Sequence, residues 1–244
     1  GLPRVRYWQV WNEPELGRFW ADQPQAGIDS ASDYFILCVP GWLYKDDSPA
    51  AAAVEQHLKV LRNVGFHVTY ADIEENGTVE RNAELVAAEI RRLSHTYEKI
   101  ILLSASKAGP EVALALTRLR DAPEVHSVKA WVNVGGTLKG TPMADAALSW
   151  PTSWFVSAFI LRGKSFDAIE SLETSRSLAR FRNFTVPAHV VVINYVGLPL
   201  SGQVTETLQY GYARMHAGGP NDGVTYVTDA IAPNSVTIPE LGAD

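Results

Sequence analysis

Six short runs of apolar and mostly β-branched or aromatic residues punctuate this chain: YFILCV (34–39), FHVTYA (66–71), KIILLS (99–104), VKAWVNV (128–134), AHVVVINYV (188–196) and SVTIP (235–239). Several are apolar throughout, which is the pattern of strands covered on both faces rather than of a half-solvated antiparallel sheet. Stretches of helical length separate the first four. PAAAAVEQHLKVLRNVG (49–65) closes on Gly65 as a C-terminal cap. TVERNAELVAAEIRRLSHTY (78–97) begins at Thr78 and repeats apolar residues at Val79, Leu85, Val86, Ile90 and Leu93. KAGPEVALALTRLR (107–120) follows the third apolar run directly. Strand–helix–strand alternation of this kind predicts an α/β protein with a mostly parallel central sheet and helices on both faces.

The alternation stops between Gly140 and Pro187, where the residues read as helices without a strand. The expected organisation is a core made of 33–139 and 188–244, a helical cap inserted at 140–187, and an irregular N-terminal arm at 1–32 held by tryptophans. A length of 244 residues, 46% hydrophobic and 20% charged, suits one large domain carrying such an insertion. The net charge is −6 and Lys and Arg form no run or stripe, which argues against a nucleic-acid partner. Cys38 is the only cysteine, so no intrachain disulfide can form. No apolar run reaches 18 residues, so no membrane span is expected. The chain opens without an initiator Met and without a signal-peptide pattern. These features lean toward a cytoplasmic location and suggest a processed or truncated form. The oligomeric state is left open.

The third strand ends in SASKAG, with Ser106 standing between the strand and the next helix and small residues, Ser104 and Ala108, two positions away on either side. In open α/β sheets ligands sit beyond the carboxyl ends of the strands. A small-x-Ser-x-small turn at that place is the pattern of a nucleophile elbow. The spacing has a steric cause: the turn is tight enough that its flanks must be small, and the serine is held in a strained conformation that exposes its hydroxyl. The helix start then offers N–H groups to a developing oxyanion. The alternative is an ordinary βα turn in which Ser106 caps the helix.

From about Asp33 onward the chain resembles an α/β-hydrolase, in particular a lipase- or esterase-like member with a helical cap. Three further segments carry the resemblance in order. FILCVPGWLY ends a strand in Pro40-Gly41-Trp42, where such enzymes have a His-Gly-x turn. The resemblance implies an oxyanion hole formed by the backbone N–H groups of Trp42 and Lys107. WVNVGGTLKGTPMAD resembles the pocket segment that precedes the cap. HVVVINYVG, followed later by GGPNDGVTYVTDAIAP, resembles the region that carries the acid, and Asp222 takes that role because LPLSGQVT contains no carboxylate. Asp222-Gly223 also reads as a plain turn.

The same resemblance places the base, a histidine, just after the last strand, and there the sequence ends in ELGAD. His57, His95 and His126 read as surface residues, and His67 and His189 as packed or satisfied ones. His216 lies near Asp222, but as a base it would reverse the family order Ser, acid, His. The expectation is that the base follows residue 244 and that the chain as given is impaired. The implied function is cleavage of a carboxylic ester by a Ser-His-Asp triad, with no cofactor and no metal. The apolar cap segment WPTSWFVSAFILRG (150–163) points to a small-molecule or lipid-like ester with a hydrophobic part, unless those side chains fill the cap's own core. Lys107 reads as a solvated lysine at a helix start, or as a bias toward anionic substrates. The competing reading is a catalytically inactive binding domain on the same scaffold.

VRYWQVWNEPEL (5–16) resembles the acid/base strand of retaining glycosidases, with Glu13 as the acid. That chemistry needs a second carboxylate about 5 Å away and a (β/α)₈ barrel of about 250 residues with strands preceding this one. The match stands at the N-terminus, so the glycosidase reading is set aside in favour of an aromatic arm built on Trp8, Trp11 and Trp20.

Overall fold

The computed structural model describes residues 31–42, 58–149, 166–200 and 202–242. Within them six strands form one sheet: β1 Phe35–Val39, β2 His67–Tyr70, β3 Ile100–Ala105, β4 Val128–Val134, β5 Val191–Leu198 and β6 Val236–Leu241. Every pairing is parallel and the order is β2-β1-β3-β4-β5-β6. All six lie where the apolar runs predict them, to within a few residues. The arm at 1–30, with Glu13 and its tryptophans, His57 and the apolar segment 150–163 lie outside the described residues.

Parallel neighbours need crossovers, and the amphipathic stretches supply them. Helix α1 (Val79–Ser94) joins β2 to β3, and the Thr78 hydroxyl caps it by accepting from the Arg81 N–H at 3.1 Å. Helix α2 (Ala108–Leu119) joins β3 to β4. The buried faces of both helices, with Val86, Ile90, Val112 and Leu116, pack in one cluster with the strand residues Leu37, Val39, Leu102 and Trp131. Burial of these side chains, each contributing about 1.5–3 kcal/mol, is the main stabilising term for this half of the molecule. Cys38 sits on the other sheet face, also buried, and burial pushes its thiol up to about 12. A thiol shifted this way stays protonated at neutral pH, and the protonated form is the poorer nucleophile.

A polar ladder crosses the apolar sheet. Ser104, Asn133, Asn194 and Thr237 are successive register partners on β3, β4, β5 and β6. The first three are fully buried, so each polar atom needs a partner. The Trp131 indole donates to Ser104 Oγ at 2.8 Å, Asn133 Nδ2 to Asn194 Oδ1 at 3.2 Å, and Asn194 Nδ2 to Ser235 Oγ at 2.6 Å. The ladder also holds the segment entering β6: Asn133 Nδ2 donates to the Ala230 carbonyl at 2.9 Å and the Ala232 N–H to Asn194 Oδ1 at 3.1 Å.

Between Gly140 and Pro187 the described residues form three short helices and no strand: α3 Pro142–Leu148, α4 Asp167–Glu170 and α5 Thr174–Phe181. Helix α6 (Gln209–Met215) lies in the connection from β5 to β6.

Candidate active site

Strand order reverses between β1 and β3, because the chain moves outward from β1 to β2 and then returns to the other side of β1. Crevices form at such a switch point, at the carboxyl ends of the strands. Ser106 follows β3 there, and Gly41 follows β1. A Cβ built on Gly41 would lie 3.4 Å from the Ser106 Cβ and 3.2 Å from the Ala105 carbonyl oxygen, so the two loops touch.

Ser106 has φ +52°. Among the described residues only Asn234 shares a positive φ without being glycine, and asparagine tolerates that region far better than serine. The conformation costs about 1–3 kcal/mol and persists only where its surroundings over-determine it. They do so here. The Ser106 N–H donates to the Val134 carbonyl at 2.9 Å, and the Ser106 carbonyl accepts from the N–H groups of Gly109 at 3.0 Å and Thr137 at 3.2 Å. The flanks are small for visible reasons. Ser104 is a rung of the buried ladder and Ala108 is fully buried. At Gly109 a Cβ would come within 2.8 Å of the Gly136 Cα.

Trp42 follows Gly41, and its indole donates to Asn76 Oδ1 at 3.1 Å. Lys107 departs from its expected place. It is not solvated: it is 2% exposed and its ammonium pairs with Glu111 one turn further along α2. Burial pushes the Glu111 carboxyl up, and Lys107 and Asn82 beside it pull it back down. A lysine held this way cannot reach out to select anionic substrates. Glu111 and Asn82 are absent from the sequence-based site. The signal for Glu111 was present, since it is the one charge in an otherwise apolar run from Ala108 to Leu116.

Asp222 is half-buried, and its Oδ2 lies 3.6 Å from where a Cβ on Gly135 would be, at the end of β4. Val134, the residue before Gly135, accepts the Ser106 N–H, so Asp222 and Ser106 belong to the same corner of the molecule. Asp222 also makes the turn expected of Asp-Gly: its Oδ1 accepts the N–H groups of Val224 at 2.8 Å and Thr225 at 2.7 Å. The loop is clamped from outside. The Thr225 hydroxyl donates to the Gly140 carbonyl at 3.3 Å, and the Thr141 hydroxyl to the Val224 carbonyl. Helix α6 closes on it through Gly211, where a Cβ would sit 1.9 Å from the Gly223 carbonyl oxygen. Gly211→Ala is therefore expected to push the helix off the Asp222 loop. Overpacking of this kind costs about 1–3 kcal/mol, which lowers Tm by about 5 °C in a chain of this size. Thermal unfolding with an unchanged Tm would show that the helix can back away freely.

His67, His95, His126 and His189 stand where the chain enters β2, β3, β4 and β5, at the edge opposite Ser106. His126 and His189 stack at 5.2 Å, each bonded through one ring nitrogen to a backbone carbonyl. His67 is more exposed than expected and packs its ring near Tyr97. His216 is exposed at the end of α6, with its ring 6.4 Å from that of Tyr212. Among the described residues no group of three or more His, Cys, Asp or Glu side chains is placed to hold a metal ion, and no helix is long and apolar enough to cross a membrane. A cavity of about 390 Å³ lies beneath the loops entering β5 and β6, lined by Trp131, Phe184, Val190 and Val192 among others; Ser106 does not line it.

No protein-family model matches the sequence, and no curated protein matches it. Solved structures do. A metagenomic carboxyl esterase is 21% identical with a TM-score of 0.70, over 85% of this chain and 63% of its own. A lipase of Bacillus licheniformis in mature form is 22% identical with a TM-score of 0.68, over 86% of this chain and 83% of its own. A phospholipase of Legionella pneumophila is 14% identical with a TM-score of 0.54, over 82% of this chain and 46% of its own. The chain thus spans less than two thirds of the esterase's length. Its parallel sheet, strand order and these likenesses establish an α/β-hydrolase fold.

Proposed function

We propose that this chain is the core of a serine ester hydrolase. The observation that carries the reading is the left-handed backbone of Ser106 at the switch point of the sheet. Strain of this size at a non-glycine residue marks a site where conformation serves chemistry. In the proposed reaction Ser106 Oγ attacks the ester carbonyl carbon, and the carbonyl oxygen becomes an oxyanion that accepts from the backbone N–H groups of Trp42 and Lys107. A histidine takes the serine proton and returns it to the departing alcohol, leaving an acyl-serine. Water then attacks that acyl group by the same route and frees the acid. Asp222 orients the histidine and stabilises its charged form. The resemblance places that histidine directly after β6, beyond residue 244.

The segment 140–187 is proposed as a cap over this edge, since α3 begins beside the Asp222 loop at Thr141. Its apolar part, 150–163, favours a substrate with a hydrophobic acyl or alcohol group. Carboxylesterase, lipase and phospholipase are the named activities of the structural neighbours, and the proposal stays within that class.

The test is a fluorophosphonate probe on the full-length natural protein, with the labelled residue located by peptide mapping. Labelling at Ser106 is expected, together with faster turnover as the acyl chain of p-nitrophenyl esters lengthens. Absence of both labelling and turnover would leave a noncatalytic binding domain on a hydrolase scaffold. Turnover indifferent to acyl length would remove the hydrophobic-substrate part alone.

A further inference from the structure

Lys107 and Glu111 form an ion pair with side chains 3% and 1% exposed. A buried pair is seldom more stabilising than two apolar side chains of the same volume, so its presence beside Ser106 calls for another account. The bonds lead away from the helix. Glu111 Oε1 accepts from Lys107 and also from Asn82 Nδ2 at 2.9 Å, while its buried Oε2 has no hydrogen-bond partner among the described residues. Asn82, fully buried on α1, grips Glu74 from both sides: its Oδ1 accepts the Glu74 N–H at 3.1 Å and its Nδ2 donates to the Glu74 carbonyl at 2.9 Å. That carbonyl also closes a turn by accepting the Gly77 N–H at 3.0 Å. A side chain at Gly77 is excluded, because its Cβ would lie 2.6 Å from Asn82 Oδ1. Inside this turn sits Asn76, the residue that accepts the Trp42 indole.

A network therefore runs from Lys107 by hydrogen bonds through Glu111 and Asn82 to Glu74, along the backbone of the 74–77 turn to Asn76, and by one more hydrogen bond to Trp42. Its two ends are the two residues whose backbone N–H groups are the proposed oxyanion donors. We propose that Glu111, Asn82 and Asn76 are positioning residues that set the separation and angle of those donors. This rests on the functional reading above. The physical need is clear: the two donors come from different loops, after β1 and after β3, and a displacement of about 1 Å costs on the order of a hundredfold in rate. Gly41 lets the loops touch, and the network fixes how far apart they stand.

The full-length natural protein should be compared with its Asn76→Ala, Asn76→Asp and Asn82→Ala variants and with the double substitution Lys107→Met/Glu111→Gln. The double substitution removes the buried charges as a pair, and Asn76 is half-buried, so neither depends on an unpaired buried charge being tolerated. Turnover of a short p-nitrophenyl ester, inhibition by a trifluoromethyl ketone and Tm are measured together. Asn76→Ala and the double substitution are each expected to lower kcat about 10- to 100-fold with KM within about threefold. The inhibition constant of the ketone, which binds as an oxyanion, should rise in step with the loss in kcat. Asn76→Asp keeps an acceptor for the indole and should recover most of the rate. A purely structural role would lower Tm and leave kcat and the ketone's inhibition constant of the folded fraction unchanged, which would overturn the proposal. If the unsubstituted protein shows no Ser106-dependent turnover, the ester-hydrolase reading itself falls and this inference with it. If it turns over and all the variants match it, only the positioning role falls.

Discussion

Ser106→Ala is expected to reduce ester turnover by about 10⁴-fold or more while leaving the fold intact. The substitution removes one oxygen. The three backbone hydrogen bonds that pin the turn involve only the Ser106 N–H and carbonyl, so alanine keeps them. Alanine also inherits the left-handed φ of +52° and its strain, so Tm should barely move. Glycine separates the two properties. Ser106→Gly should be equally inactive yet more stable by about 1 kcal/mol, because glycine adopts this φ without a steric penalty. That gain corresponds to a rise of roughly 2–4 °C in Tm. A glycine variant that is no more stable than alanine would mean the backbone at 106 carries little strain, and the main argument for a catalytic serine would weaken. Turnover by Ser106→Ala at the wild-type rate would end it.

Asp222→Asn is the second large effect. Asp222 Oδ1 already works as a turn acceptor for the N–H groups of Val224 and Thr225. An asparagine keeps an acceptor oxygen for both, so the loop and Tm should be preserved. What it loses is the negative charge that, in the proposed mechanism, orients and stabilises a protonated base. The expected result is a fall in kcat of about 10³- to 10⁴-fold with KM nearly unchanged. Asp222→Ala should lose the same activity and also destabilise, by about 1–2 kcal/mol, since two backbone donors lose their partner. The pair of variants separates chemistry from scaffolding. If asparagine is fully active, Asp222 is a turn residue and the acid lies elsewhere.

Much of this architecture could be read from the chain. A parallel strand buried on both faces, as β1 is, is written as a continuous apolar run, and all six runs stand out against their spacers although β2 and β6 are largely part-exposed or exposed. Ser106 was legible because its turn follows such a run and precedes an apolar helix. Lys107 was misleading for a definable reason. A lysine with a glutamate four residues on is the pattern of a solvated helix pair, and only the apolar residues around Glu111 hint that this pair is buried. Asn82 gives no local sign at all. Its partners are Glu74, eight residues back, and Glu111, 29 residues on, and long-range polar partnerships leave no periodic trace. Asn133 and Asn194 look like interruptions in good strands, yet they are the rungs that join β4 to β5.

Those rungs have a consequence for how the sheet assembles. An all-apolar parallel sheet has weak grounds for choosing one alignment over another, since valine packs acceptably against valine two residues along. Here a slip of two residues between β4 and β5 would set Asn133 against Val192 or Val196 and break the Asn133–Asn194 hydrogen bond in a buried interior. A buried polar atom left without its partner costs about 1–3 kcal/mol, and the neighbouring pairings carry rungs of their own at Ser104 and Thr237. The ladder thus acts as a proofreading mark for folding: each pairing from β3 to β6 carries a polar rung that an out-of-step alignment would break.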